Sequence, residues 1–166
     1  NRMRNFLLFC SLLLFATGMK AREDETDKIK ETDSLLVVVK SHLANVNPVG
    51  VLEVATEALS LSRDAHYSEG KALSCFYIGQ VLVYFGNYDK SLEYLTLSEQ
   101  EKYTRGDIII KSEISRVKGQ VYFYLGLKKA AFREFQKAYG YVNQIKEKDE
   151  KDRYLSLKTW RLLTPY

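Results

Sequence analysis

The side chains best suited to covalent chemistry are few in this chain of 166 residues. It contains two histidines, His42 and His66, and two cysteines, Cys10 and Cys75. The histidines lack the two-His helical spacing of a zinc hydrolase, and the cysteines lack the spacing of metal ligands. A glycine-rich phosphate loop and a nucleophile elbow are also missing from the sequence. We therefore expect a protein that is not an enzyme and that uses no metal or cofactor. A hydrolase with an unrecognised site, tested by changing His66, is the disfavoured alternative.

The charge distribution argues against nucleic-acid binding through this segment. The formal net charge is +4, from 25 basic and 21 acidic side chains. Three of the basic residues, Arg2, Arg4 and Lys20, lie in the first 21 residues, which contain no Asp or Glu. The rest of the chain is therefore close to neutral, whereas nucleic-acid binding usually needs a concentrated basic face.

The first 21 residues have the order of charge and hydrophobicity of a secretory signal peptide. Arg4 precedes an apolar run of about 11 residues, too short for a membrane span of about 20. Cleavage after Gly18 or after Ala21 is consistent with the small residues there, and a buried N-terminal helix is the alternative interpretation. The large residues before Cys10 are unfavourable for lipoprotein processing. This pattern predicts an exported, periplasmic or envelope-associated bacterial protein, with a charged tether or frayed helix start at 22–33.

Two segments of the chain repeat each other at an offset of 40 residues. Small and bulky residues occur in a matching order in both, and self-similarity at a fixed period is typical of stacked helical units. The first copy contains Ile78, Gly79, Leu82, Gly86, Ser91, Leu95 and Ser98, and the second contains Lys118, Gly119, Tyr122, Gly126, Ala131, Phe135 and Ala138.

Each copy is predicted to be a pair of antiparallel helices. In the first copy, helical spacing of apolar residues predicts one helix over 71–86 and another over about 88–103. Gly86 suits the left-handed C-cap position and Asn87 the next N-cap. Extra residues relative to a shorter repeat are expected to lengthen the second helix and its exit.

Small residues are predicted where the two helices of a pair cross. Gly79 and Ser91 would allow close approach in the first copy, because no large side chain lies between the helices. Gly119, Ala131 and Ala138 would do the same in the second copy.

The same offset extends the pattern in both directions. An earlier, eroded copy has a good helix start at Asn47-Pro48, a capping side chain followed by proline. Beyond the second copy, an apolar-rich lone helix is either a cap or the first half of a truncated unit. The predicted organisation is an array over 34–163, made of units at about 32–71, 72–111 and 112–151 and the lone helix at 152–163.

The spacing of small and bulky residues resembles the tetratricopeptide repeat (TPR), with a period of about 40 residues. The resemblance implies an all-α fold, an α-solenoid of antiparallel helix pairs. The 40-residue repeat is similar to the longer repeats of exported bacterial regulators, whose arrays precede a membrane helix and a LuxR-type or kinase region.

The resemblance also implies a peptide-binding groove, because the first helices of successive TPR units line the concave surface. Amide and phenol groups there could hydrogen-bond a peptide backbone, and an arginine could bind a carboxylate. The same side chains could instead pack between neighbouring units, since helical periodicity does not separate the two. The candidate groove residues are Phe76, Gln80, Val83, Tyr84, Arg116, Gln120, Phe123 and Tyr124.

The function that follows is protein–protein interaction, with a peptide or helix bound in the groove of the sensory or scaffold part of an exported regulator. The alternative is a structural subunit that self-associates through its repeat ends. Contact with a membrane is expected only through the signal segment or a downstream helix absent from this sequence.

Overall fold

The computed structural model describes the backbone of residues 2–145 and the side chains of residues 20–145. All regular secondary structure in this part of the chain is helical, which confirms the all-α class. The predicted lone helix at 152–163 lies outside the described residues. The helices are α1 (Arg2–Ala44), α2 (Pro48–Asp64), α3 (Ser68–Tyr84), α4 (Tyr88–Gln100), α5 (Lys102–Gly106), α6 (Ile108–Tyr124) and α7 (Lys128–Gln144).

Helix α3 lies at the centre of the described structure. It packs most extensively on its chain neighbours α2 and α4, and it also contacts α1, α5 and α6. Residues 74–81 are consecutively buried, so this stretch is covered on all sides. A helix that is buried all round carries no solvent face, which is why its apolar pattern is broader than one stripe.

The same turn ends four of the helices. Val46, His66, Gly86 and Gly126 have φ of 53°, 50°, 71° and 75°. In each case the amide of the following residue donates to the carbonyl five residues before it, at 2.8–2.9 Å. The amide of the positive-φ residue itself donates three residues back, at 3.0–3.1 Å. These paired bonds define the Schellman C-cap, and they confirm the left-handed position predicted for Gly86.

Side-chain caps start the second helices of the first two predicted pairs. The Asn47 side chain accepts from the amide of Gly50 at 3.0 Å, and Pro48 is the first residue of α2. The Asn87 side chain accepts from the amide of Lys90 at 3.4 Å at the start of α4. Both predicted helix starts are confirmed, because each cap satisfies an amide that has no partner within its helix.

Close approach of paired helices occurs where small residues were predicted. A methyl group built on Gly79 would lie 2.8 Å from Leu95 Cγ and 3.2 Å from the Leu95 amide nitrogen. A methyl group on Gly119 would lie 2.6 Å from the Phe135 ring. Ser91 is fully buried and donates a 2.6 Å hydrogen bond from its hydroxyl to the Gly79 carbonyl. Ala131 and Ala138 are also buried.

The second helix of the central pair is shorter than predicted. Helix α4 ends at Gln100, because Glu101 is extended, with φ −65° and ψ 145°. The Glu101 carboxylate is held by Lys71 at 3.1 Å and accepts from the Ser68 hydroxyl at 2.9 Å. The Ser68 oxygen in turn accepts from the amide of Tyr103 at 3.0 Å. Contacts with the start of α3 thus turn the chain into the separate helix α5.

Residues 22–33, which the charge pattern predicts to be a tether or a frayed helix start, lie within α1. Their side chains are mostly exposed, and ion pairs one helical turn apart support the helix: Lys28 with Asp24 at 2.9 Å and Lys30 with Asp27 at 3.6 Å. Such exposed pairs stabilise a helix only weakly, because solvent screens the attraction. Thr32, however, is fully buried, so the end of this segment contributes to packing.

Helical length and hydrophobicity together decide whether a segment can span a bilayer. Within the described part of the chain, no helix combines the length and apolarity needed to cross a membrane.

Candidate functional site

A cavity of about 290 Å³ opens between α1, α3, α5 and α6. Helix α3 contributes four of the lining residues, and Tyr103 comes from α5. Its lining combines aromatic rings, aliphatic side chains and carboxylates. The lining residues are Lys40, Glu69, Leu73, Phe76, Tyr77, Tyr103, Asp107, Ile109, Ile110 and Glu113.

Asp107 fixes the side of the cavity that α6 provides. Its Oδ1 accepts from the amides of Ile109 and Ile110 at 2.9 and 3.2 Å, which caps the N-terminus of α6. Its Oδ2 accepts from the Tyr103 hydroxyl at 2.9 Å. The cap therefore sets both the start of α6 and the position of the aromatic ring from α5. Glu113, six residues after Asp107 and on α6, lines the same cavity.

Glu113 is the most unusual residue of the lining, since it is a carboxylate that is only 2% exposed. Its Oε2 accepts from Arg116 Nη2 at 2.8 Å and from Arg116 Nε at 3.1 Å. Its Oε1 is buried and has no hydrogen-bond partner among the described residues. One oxygen is thus satisfied by a charged partner, while the other keeps its full capacity to accept a hydrogen bond.

The candidate groove residues on α3 are mostly buried. Phe76 lines the cavity and is otherwise covered. Gln80 and Val83 are buried, and Gln80 Oε1 has no hydrogen-bond partner in the described structure. Tyr84 is exposed, with its ring 5.5 Å from the Phe85 ring. The packing of α3 between its neighbours therefore removes Gln80 and Val83 from the surface on which the resemblance places them.

The candidate groove residues on α6 are more accessible. Arg116 Nη1 donates to Gln120 Oε1 at 3.1 Å, so these two predicted residues are brought together. Tyr124 is half-buried and stacks on Tyr88 of α4, with ring centroids 5.7 Å apart. Phe123 is 60% exposed. Of the predicted set, Phe76 contributes directly to the cavity and Arg116 contributes through its ion pair with Glu113.

Sequence reasoning missed Glu113 and the residues of α5. One signal for Glu113 was available, because at the 40-residue offset it aligns with Leu73, an apolar residue that lines the same cavity. A carboxylate in place of a partly buried leucine is uncommon without a partner. Nothing in the periodicity indicates Tyr103 or Asp107, since the positions of both depend on the interruption of the helix at Glu101.

The titratable residues that line the cavity are carboxylates, tyrosines and one lysine. None of its lining residues is His, Cys or Ser, the side chains most often used as nucleophile or base. Nearby, burial raises the pKa of Cys75 to about 11, so this thiol is protonated at neutral pH. His66, in the turn after α2, hydrogen-bonds the carbonyl of Arg63 at 3.0 Å. His42, in the last turn of α1, contacts the side-chain amide of Asn47 at 3.1 Å.

Comparisons of the chain with protein-family models, with curated protein sequences and with solved structures found no match.

Proposed function

We propose that this chain is a TPR-like interaction module that binds a peptide segment of another protein at the surface formed by α1, α3 and α6. The observation that carries the proposal is the cavity between these helices, which three aromatic residues and the buried Glu113 line together. Concave sites with an apolar lining and a few placed polar groups are typical of binding sites.

The repeat interpretation is supported by the spacing of equivalent features. Helices α2, α4 and α7 begin at residues 48, 88 and 128, and α3 and α6 begin at 68 and 108. The left-handed turn residues 46, 86 and 126 follow the same interval. A solenoid of helix pairs requires such regularity, because each unit must present the same faces to its neighbours.

A display experiment tests the binding function. The whole chain is immobilised, a library of random peptides is selected on it, and the affinity of each enriched peptide is measured. Leu73→Trp fills the cavity without changing a charge, and Leu97→Trp makes the same change on the exposed side of α4 as a control. We expect Leu73→Trp to weaken binding by at least about tenfold, the loss of roughly 1.4 kcal/mol or more, and Leu97→Trp to leave it unchanged.

Two outcomes contradict the binding proposal. One is a library from which no peptide is enriched. The other is a set of enriched peptides that bind the Leu73→Trp variant as tightly as the unaltered chain.

We also propose that the module acts outside the bacterial cytoplasm, as part of an exported regulator. The support is the signal-like order of residues 1–21, with Arg2 and Arg4 before an apolar run. Expression of the whole chain in a Gram-negative host, followed by mass measurement of the periplasmic fraction, tests this. We expect cleavage after Gly18 or after Ala21; uncleaved protein found solely in the cytoplasm would contradict export.

Self-association is the second candidate function, and the exposed face of α7 favours it. Phe132 and Tyr139 are 62% and 70% exposed, and Phe135 is also exposed. Clusters of exposed large apolar side chains often mark association surfaces. Sedimentation equilibrium of the whole chain and of a Phe132→Ser/Tyr139→Ser variant tests this function. An assembly that the variant abolishes would support it, and a monomer in both cases would exclude it.

A further inference from the structure

The unsatisfied oxygen of Glu113 specifies what kind of group the cavity can bind. A buried acceptor without a hydrogen bond is costly, and a ligand that donates to it removes the cost. Arg116 donates only to Oε2, from Nη2 at 2.8 Å and from Nε at 3.1 Å. Oε1 therefore has no partner among the described residues. The group that completes this site must therefore be a hydrogen-bond donor.

The charge of the lining favours a cationic donor. Glu69, Asp107 and Glu113 are three carboxylates, while Lys40 is the one lining cation and is itself exposed to solvent. Arg116 offsets one carboxylate, and Asp107 is engaged by two amides and the Tyr103 hydroxyl. Glu69 and the free oxygen of Glu113 then leave the cavity with an excess of negative character.

The aromatic lining favours a cation with an alkyl stem. Phe76, Tyr77 and Tyr103 surround the cavity, and aromatic faces attract ammonium groups while their apolar surface covers methylene groups. The volume of about 290 Å³ lies at or below the lower limit, roughly 300 Å³, of sites for drug-sized molecules. This size suits one side chain or one chain terminus of a peptide better than a large ligand.

We propose that the cavity binds a primary ammonium group, donated by a lysine side chain or by the free N-terminus of the peptide. The ammonium donates to Glu113 Oε1, and the attached carbon chain packs against Phe76 and Tyr77. The peptide origin of the group rests on the proposed binding function, whereas the recognition of an ammonium group does not.

A small probe tests the ammonium site without any peptide. The n-butylammonium ion is titrated into the whole chain and followed by the amide resonances of residues around Glu113, with 1-butanol as the neutral probe of matching length. We expect 1-butanol to bind at least about tenfold more weakly, because a hydrogen bond to a charged group is worth roughly 1.5–3 kcal/mol. Equal affinity for the two probes would overturn the proposal.

Substitution of Glu113 tests whether n-butylammonium binds at this carboxylate. Glu113→Gln removes the carboxylate and should weaken n-butylammonium binding by about tenfold or more while leaving 1-butanol unaffected. Glu134→Gln is the matched control, since Glu134 is also a largely buried carboxylate paired with a cation three residues later, Lys137, but lies on α7 outside the cavity. Unchanged n-butylammonium affinity in Glu113→Gln would overturn the proposal. If Glu113→Gln unfolds because Arg116 loses its partner, the double variant Glu113→Gln/Arg116→Gln gives the same comparison.

The enriched peptides separate the two sources of the ammonium group and the two proposals. Replacing lysine by norleucine, or acetylating the N-terminus, identifies which amine the cavity binds. If peptides bind but neither change nor Glu113→Gln weakens them, the ammonium proposal fails while the binding function stands. If n-butylammonium binds through Glu113 but no peptide is enriched, the binding function fails while the ammonium site stands.

Discussion

The Ser98 hydroxyl of α4 donates a 2.7 Å hydrogen bond to the backbone carbonyl of Ala72 on α3. Forty residues later, the equivalent crossing of α6 and α7 has the roles reversed. There the Ser112 hydroxyl of α6 donates to the carbonyl of Ala138 on α7 at 3.2 Å. Each crossing thus pairs one alanine with one serine, and the hydroxyl bridges the helices from either side.

This reversal predicts that a serine on α3 can replace the serine on α4 as the donor of the hydrogen bond between the two helices. Ser98→Ala should lower the free energy of unfolding by about 1 kcal/mol, because a buried interhelical hydrogen bond is lost. Adding Ala72→Ser to that variant should recover most of the loss, since a serine at 72 occupies the position that Ser112 has in the later pair. Urea unfolding measures both effects. Thr56→Ala, which removes an exposed hydroxyl bonded within its own helix, serves as the control and should change stability little. A double variant no more stable than Ser98→Ala would show that the crossings are not equivalent.

Gly79 and Gly140 should respond in opposite directions to alanine substitution. Gly79→Ala places a methyl group 2.8 Å from Leu95 Cγ and 3.2 Å from the Leu95 backbone nitrogen, so α3 and α4 must separate. We expect a loss of about 1–2 kcal/mol, the cost of overpacking reduced by the helix propensity of alanine. Gly140→Ala meets no atom within 4 Å and should gain about 0.5–1 kcal/mol from propensity alone. Thermal and urea unfolding measure both, and a gain for Gly79→Ala would contradict the close approach.

The left-handed turns make a second pair of stability predictions. Val46 has φ 53°, a conformation unfavourable for a β-branched residue, whereas Gly86 has φ 71° at the equivalent turn. Val46→Gly should therefore stabilise the chain by about 0.5–1 kcal/mol, and Gly86→Ala should destabilise it by about 1 kcal/mol. Gly106→Ala, with open space around it and no positive φ, is the matched control. Equal effects of Gly86→Ala and Gly106→Ala in calorimetry would refute the assignment of the turn.

Alkaline pH should destabilise the fold partly through Cys75. Burial raises the pKa of the folded thiol to about 11 from the ordinary value of 9.0, so the unfolded state releases its proton first as the pH rises. The contribution of the protonated Cys75 thiol to the free energy of unfolding is fully present below pH 9 and is lost as the pH approaches about 11. Urea unfolding at pH values across this window should show a steeper decline for the unaltered chain than for Cys75→Ala. Parallel pH dependence in the two proteins would mean that Cys75 is ionised equally in both states.

Much of the local structure was predictable from the sequence, because short-range chemistry decides it. The caps at Asn47 and Asn87 and the left-handed Gly86 follow from residues within one turn of each helix end. The close approach at Gly79 followed from the spacing of small residues. The prediction failed for the end of α4, where contacts of Glu101 with Lys71 and Ser68 outweigh helical periodicity.

The candidate site was less predictable. The sequence selected Phe76, which lines the cavity, and Arg116, which holds Glu113. It did not separate these from Gln80 and Val83, which the same helical pattern places nearby but which the structure buries. Periodicity describes one helix at a time, whereas burial depends on every helix that packs around it.

The sequence by itself determined the all-helical class, the helix boundaries at capping residues and the small residues at the crossings, since these depend on neighbours along the chain. Only the tertiary structure decided that Glu113 meets Phe76, Tyr77 and Tyr103 in one cavity. That meeting depends on how α1, α3, α5 and α6 lie relative to one another, and their relative placement is set by the packing of distant side chains rather than by any local pattern.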